Sequence, residues 1–126
     1  KGPKAVGPYA PGLKVNGVVY LSGQLPTDPQ TGELIAGDMQ AMTDRVIENL
    51  KHVLEAANLS LADVVKTTVF LKDMNDYAAM NEAYGRNFGA HPPARSAVQV
   101  ARLPRDARIE IEAIAVDGET KYPFTK

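Results

Sequence analysis

The chain has 126 residues, 44% hydrophobic and 23% charged, which are the values of a single ordinary globular domain and exclude disorder and fibrous repeats. Fourteen Lys and Arg against fifteen Asp and Glu leave a formal net charge of -1, without the basic surplus that phosphate-backbone binding draws on, so nucleic acid is not an expected partner. With no cysteine, disulfides, thiolate metal sites and cysteine nucleophiles are excluded, which fits a reducing compartment such as the cytoplasm.

In chain order, Leu13 to Val15 and Val18 to Leu21 flank Asn16-Gly17, a dipeptide that accepts the positive φ values of a two-residue type I′ turn, and predict a β-hairpin. Pro26, Asp28-Pro29 and Thr31-Gly32 predict a surface loop. From Asp38, a candidate N-cap, Met39, Met42, Val46, Leu50, Val53, Leu54 and Ala57 fall at three-or-four spacing and predict a helix to about Asn58. Ser60 to Asp63 resembles a short capped turn, and the β-branched run Val64 to Leu71 predicts a strand apolar on both faces. Tyr77, Met80, Tyr84 and Phe88 predict a second helix, capped by Asp73, Asn75 or Asp76 and ended by Gly89 to Pro93.

Arg95 to Ala101 and Ala107 to Val116 read as two further strands, joined by a turn at Leu103 to Asp106 and expected to pair antiparallel. In the last strand Ile109, Ile111, Ala113 and Ala115 share one face, while Glu110, Glu112, Ile114 and Val116 share the other. The order ββ, α, β, α, ββ predicts an α+β sandwich, a mixed and mostly antiparallel β-sheet with two helices packed on one face. Two helices cannot cover both faces, so self-association is expected to bury the apolar side chains of the other, Val64, Phe70, Ile114 and Val116 among them. No apolar run approaches the roughly 20 residues of a membrane span. No charged-then-apolar leader opens the chain, although its start at Lys1 allows for a trimmed initiator or leader.

Few residues invite a chemical role on pattern alone. His52 lies between Glu48 and Glu55 and His91 sits in a proline-flanked loop, neither with ligand-spaced company, and the glycines match no phosphate-binding pattern. Pro92-Pro93 delivers Arg95 to the start of a strand, where it could grip a carboxylate through two parallel hydrogen bonds or merely pair with a surface acid. Glu110, beside apolar Ile114, would have its pKa raised by desolvation and suit proton transfer, or else be a solvated edge residue.

Several segments decide between these readings by resemblance. They are Gly7-Pro8-Tyr9, Val19 to Gln24, the Asn49-Leu50 helix, Val65 to Met74, Asn81 to Tyr84, Pro93 to Ser96, Val100 to Pro104 and Ile109 to Ala115. In this order, over nearly the whole chain, they resemble the RidA/YjgF/UK114 family of enamine and imine deaminases.

The resemblance implies the YjgF-like (chorismate mutase-like) fold and a homotrimer, with the sheets forming a central barrel and an active site in each of three clefts between subunits. By position, Arg95 matches the arginine that binds the substrate carboxylate and Glu110 the glutamate that positions the hydrolytic water. Tyr9 matches the tyrosine that closes the cleft, and Ser22, Gly23, Asn81 and Ala97 match cleft-lining positions. Ala97 stands where many deaminating relatives have Cys, and Ala10-Pro11 replaces the more usual Ser-Gln.

The implied reaction hydrolyses short 2-enamino or 2-imino acids, such as 2-aminoacrylate, 2-iminopropanoate and 2-iminobutanoate, to 2-keto acids and ammonia. No metal or organic cofactor is implied, because the imine carbon is already electrophilic. Two other readings stay open, a non-catalytic trimer that binds 2-keto acids or a protein partner, and an RNA-directed inhibitor of translation, which the near-neutral charge argues against.

Overall fold

The first turn forms as its sequence predicts: Asn16 and Gly17 take φ of 49° and 81° and join β1 (Gly12–Val15) to β2 (Val18–Gln24) in an antiparallel hairpin. The structure, a computed structural model, describes residues 7–118. Helix α1 (Met39–Ala56) begins where the Asp38 side chain accepts a hydrogen bond from the Ala41 amide at 2.9 Å. A 3-10 turn at Leu61–Asp63 leads into β3 (Val64–Leu71), and a second at Met74–Asp76 into α2 (Tyr77–Phe88). Strand β4 (Ala94–Gln99) and β5 (Ile109–Val116) complete a single five-stranded sheet in the order β1-β2-β5-β3-β4.

That order corrects one expectation. β4 and β5 are not partners: β5 lies antiparallel between β2 and β3, and β4 runs parallel to β3 at the edge. The helix α2 between β3 and β4 is long enough to return the chain to the starting end of the sheet, so those strands pair in parallel. Residues 100–108 then cross the end of β3, held by the Val100 amide on the Leu71 carbonyl (2.9 Å) and the Lys72 amide on the Arg108 carbonyl (3.0 Å). Within this crossing a tight turn at Pro104–Asp106 puts both Arg105 and Asp106 in left-handed backbone, φ 59° and 56°, and it closes no hairpin because β4 and β5 are not paired.

One face of the sheet meets both helices. Val46, Ile47, Leu50 and Leu54 of α1 and Met80, Tyr84 and Phe88 of α2 cluster with Val19, Leu21, Val69, Leu71, Ile109, Ile111, Ala113 and Ala115. The expected partition of β5 is observed: its four core residues are buried while Glu110, Glu112, Ile114 and Val116 face the other way. Val64 departs from expectation. A register irregularity after it lets Val64 pair with Ala115 and Lys66 with Ile114, so Val64 joins the helix-covered face and is buried. The open face retains partly exposed Phe70, Ile114 and Val116 beside exposed Leu13, Val15, Tyr20 and Val98.

Among the described residues three polar side chains, those of Thr43, Asn49 and Thr67, are completely buried. Thr43 returns its hydroxyl to the Met39 carbonyl, Thr67 bonds Tyr84, and Asn49 donates to the carbonyls of Leu25 (3.1 Å) and Thr27 (3.0 Å) while accepting from Arg45. Asn49 thereby fixes the backbone just beyond β2. Replacing it by Ala leaves the Thr27 carbonyl unsatisfied and should cost about 2 kcal/mol of stability, read as a lower urea midpoint at unchanged m.

Candidate functional site

Arg95 enters the sheet opposite Thr67, on the helix-covered face. Its guanidinium lies against α2: Nη1 donates to the Asn81 side-chain oxygen and Nη2 to the Tyr77 hydroxyl, each at 2.7 Å. The guanidinium carbon sits 4.7 Å from the Tyr84 ring centroid and 5.5 Å from that of Tyr77. Tyr84 is itself held by a 2.6 Å hydrogen bond with Thr67, and burial raises its pKa against the opposing effects of that bond and of Arg95. Among the described residues Arg95 forms no ion pair with a surface acid. Its guanidinium is oriented by the neutral side chains of Asn81 and Tyr77. Ala97, two residues on, points to the same face and packs against the core.

Glu110 stands on the open face of β5, paired with Phe70. It lies across the irregularity of β2, where Leu21 pairs with Ala113 and Gln24 with Ile111, so that Ser22 and Gly23 together oppose Glu112. The Glu110 carboxylate occupies the space a side chain at Gly23 would fill: a β-carbon there would come within 2.7 Å of the Glu110 carboxyl carbon. Burial raises the Glu110 pKa above the ordinary carboxylate value, with a smaller contribution from the Glu112 charge. Among the described residues nothing donates a hydrogen bond to this carboxylate. Ser22 ties the preceding loop to β2, its hydroxyl donating to the Ala10 carbonyl (2.7 Å) and its amide to that of Pro11 (2.9 Å). This sets the segment that carries Tyr9, whose side chain is 46% exposed.

The expected site residues thus fall into two clusters. Arg95, Asn81 and Ala97 gather beside α2, and Glu110, Gly23 and Ser22 gather at the β2–β5 bulge, with Tyr9 on the tied loop. Phe70 pairs with both Glu110 and Val98, whereas Thr67 pairs with Arg95 and Ala113, so Glu110 and Arg95 project from opposite faces with β3 between their strands. Tyr77, Tyr84 and Thr67 were not expected at a site. The spacing of Tyr77, Asn81 and Tyr84, four and then three residues apart, was the available signal, because it stacks them on one helix face.

Elsewhere, a cavity of about 820 Å³ runs along α1 under the 29–35 loop, lined by Asp44, Arg45, Glu48 and His52 among others. None of the expected site residues lines it. His52 is partly buried, 3.5 Å from Glu48 and 3.9 Å from Glu55. Among the described residues no group of three His, Asp or Glu could hold a metal ion, and no helix is long and apolar enough to cross a membrane.

Comparison with known proteins matches residues 1–117 to the family described as Endoribonuclease L-PSP. A RutC family protein of Pyrococcus abyssi is 56% identical over 91% of both chains. The 2-iminobutanoate/2-iminopropanoate deaminase of Escherichia coli is 50% identical over 90% of this chain and 91% of its own. Among solved structures, a putative endoribonuclease of Thermotoga maritima superposes with a TM-score of 0.92 at 54% identity, covering 94% of each chain. E. coli TdcF with bound serine superposes at 0.88 and 48%, covering 93% of this chain and 94% of that one. With a family match over nearly its full length and relatives at half identity or better, the chain belongs to the RidA/YjgF family.

Proposed function

We propose that the protein is a hydrolytic deaminase of short 2-enamino and 2-imino acids, releasing 2-keto acids and ammonia. The observation that carries this reading is Arg95, a cation oriented by Tyr77, Asn81 and the Tyr84 ring and paired with no carboxylate among the described residues. A substrate carboxylate supplies the missing partner. The bound serine of TdcF, a carboxylate ligand in a similar structure, and the deaminase name of the E. coli relative support the same reading.

In the reaction, the enamine tautomerises to the imine, and water adds to C2 to form a carbinolamine. A proton passes to nitrogen, the C–N bond breaks and the keto acid and ammonia leave. Arg95 fixes the carboxylate and so the position of C2. Glu110, desolvated over Gly23, accepts the proton of the attacking water and passes it to the departing nitrogen. Tyr9 closes the site and Ser22, by holding the 10–11 backbone, sets where Tyr9 reaches.

Because Arg95 and Glu110 leave opposite faces of one sheet, a site containing both needs two chains. A homotrimer meets this requirement and also covers Leu13, Val15, Tyr20, Ile114 and Val116 on the open face. The endoribonuclease description of the family names a different chemistry. A net charge of -1 and a cation aimed by aromatic side chains suit a small carboxylate better than a phosphate backbone.

Three outcomes test the proposal. With 2-aminoacrylate or 2-iminobutanoate generated in situ by a serine or threonine dehydratase, the protein should accelerate keto-acid formation. Arg95→Ala should lose about thirtyfold of that rate or more, on the order of 2 kcal/mol for a charge-assisted pair, and Arg95→Lys should not restore it. A rate unchanged by Arg95→Ala would overturn the carboxylate grip.

Glu110→Gln should lower kcat by roughly 10²-fold or more while keto-acid binding survives. Only ionised Glu110 accepts a proton, so activity falls as pH drops through its pKa, and the upward shift places that fall above the ordinary carboxylate range. The sign for stability is opposite. A carboxyl whose folded pKa is raised favours folding below that pKa and loses the contribution as pH rises through it, so Glu110→Gln should melt no lower than wild type at neutral pH. A flat pH–rate profile together with a destabilised Glu110→Gln would make the residue structural.

Ile114→Asp places a charge on the open face and should abolish assembly and turnover together. Light scattering gives the mass and circular dichroism checks the fold. A folded, fully active monomer would refute the shared site.

A further inference from the structure

Tyr77 is the first residue of α2, and its hydroxyl lies 2.7 Å from Arg95 Nη2. Arginine has no acceptor, so Nη2 donates and the phenol oxygen accepts. The phenol's own hydrogen is therefore left to donate, and among the described residues nothing accepts it. The same count holds around it. Two of the five guanidinium N–H groups are used, on Asn81 and Tyr77, which leaves three, and the Asn81 amide nitrogen is likewise unengaged among the described residues. The groups left at this point are all donors, and among the described residues no carboxylate receives them.

We infer that Tyr77 is a second carboxylate anchor, its hydroxyl donating to the same substrate carboxylate that Arg95 grips. The inference rests on the deaminase reading for the identity of the ligand, but not on turnover. A phenol that accepts from a guanidinium is polarised toward stronger donation, so the two anchors reinforce one another. The Tyr84 ring backs the guanidinium at 4.7 Å and the Tyr77 ring flanks it at 5.5 Å, and the two oxygens of a carboxylate suit donors placed side by side on the guanidinium and the phenol. Tyr77 thus acts on affinity and on the choice of acid over amide, while the proton transfers belong to Glu110.

The test is Tyr77→Phe in the full-length, assembled protein, with 2-ketobutyrate as the binding probe and 2-iminobutanoate as substrate. The ring and the α2 packing remain and one oxygen is lost. The dissociation constant for 2-ketobutyrate and the KM for 2-iminobutanoate should each rise about tenfold, the scale of a hydrogen bond to a charged group, with kcat within about twofold. In an Arg95→Ala background the same substitution should weaken 2-ketobutyrate binding further. A residue that merely steadied Arg95 would have nothing left to lose there.

Binding unchanged by Tyr77→Phe, or no further loss in the Arg95→Ala background, overturns the inference while the deaminase reading stands. Wild-type protein that binds 2-ketobutyrate with the expected Tyr77 dependence but leaves imine hydrolysis unaccelerated overturns the deaminase reading while the inference stands. Wild-type protein that does not bind 2-ketobutyrate overturns the inference directly.

Discussion

A β-strand sends successive side chains to opposite faces, and this sheet has helices on only one of them. Everything about the candidate site follows from that asymmetry. On the covered face a cation can be backed by helix side chains, and Arg95 is, between the rings and polar tips of α2. On the uncovered face Glu110 stands, among the described residues, beside its strand partner Phe70 and over the gap at Gly23. One arrangement presents a fixed positive charge, and the other a carboxylate that burial has made reluctant to ionise.

The two arrangements differ in what keeps them in place. Arg95 is held by direct contacts to three residues of one helix, so its position depends on how α2 docks, and that docking rests on Met80, Tyr84 and Phe88 in the core. Glu110 is held by shape. The bulge in β2 is anchored from both sides, by Ser22 on the Ala10 and Pro11 carbonyls and by Asn49 on the carbonyls of Leu25 and Thr27. A helix residue far from the sheet's open face therefore governs the backbone against which the carboxylate rests.

The local elements were legible in the sequence because each carries its own signal. Asn16-Gly17 marks the hairpin, Asp38 the start of α1, and the alternation in Ile109 to Val116 the two faces of β5. What could not be read was set by long-range pairing. β4 and β5 are near in sequence and share a turn-like connection, yet the insertion of β5 between β2 and β3 is decided by the whole sheet. Val64 changed faces through a one-residue irregularity that leaves no trace in the adjacent pair Val64-Val65. At the site, Arg95 and Glu110 were singled out, but their opposite faces were not, and Tyr77 and Tyr84 passed as core because an aromatic stripe on a helix carries no mark of what its polar tips touch. Thr43, Asn49 and Thr67 were invisible for the related reason that a buried polar residue is recognised only by the partner that satisfies it.

The fit between Gly23 and Glu110 makes the two positions interdependent. They lie on different strands, but one volume serves both, so the effect of a substitution at either depends on the occupant of the other. An alanine at 23 would bring its β-carbon within 2.9 Å of the Glu110 Cγ and 2.7 Å of its carboxyl carbon, so the glutamate side chain would have to swing aside; an aspartate at 110 would draw its carboxylate back from the hollow. The bulge therefore ties the choice of residue on one strand to the reach of a carboxylate on another.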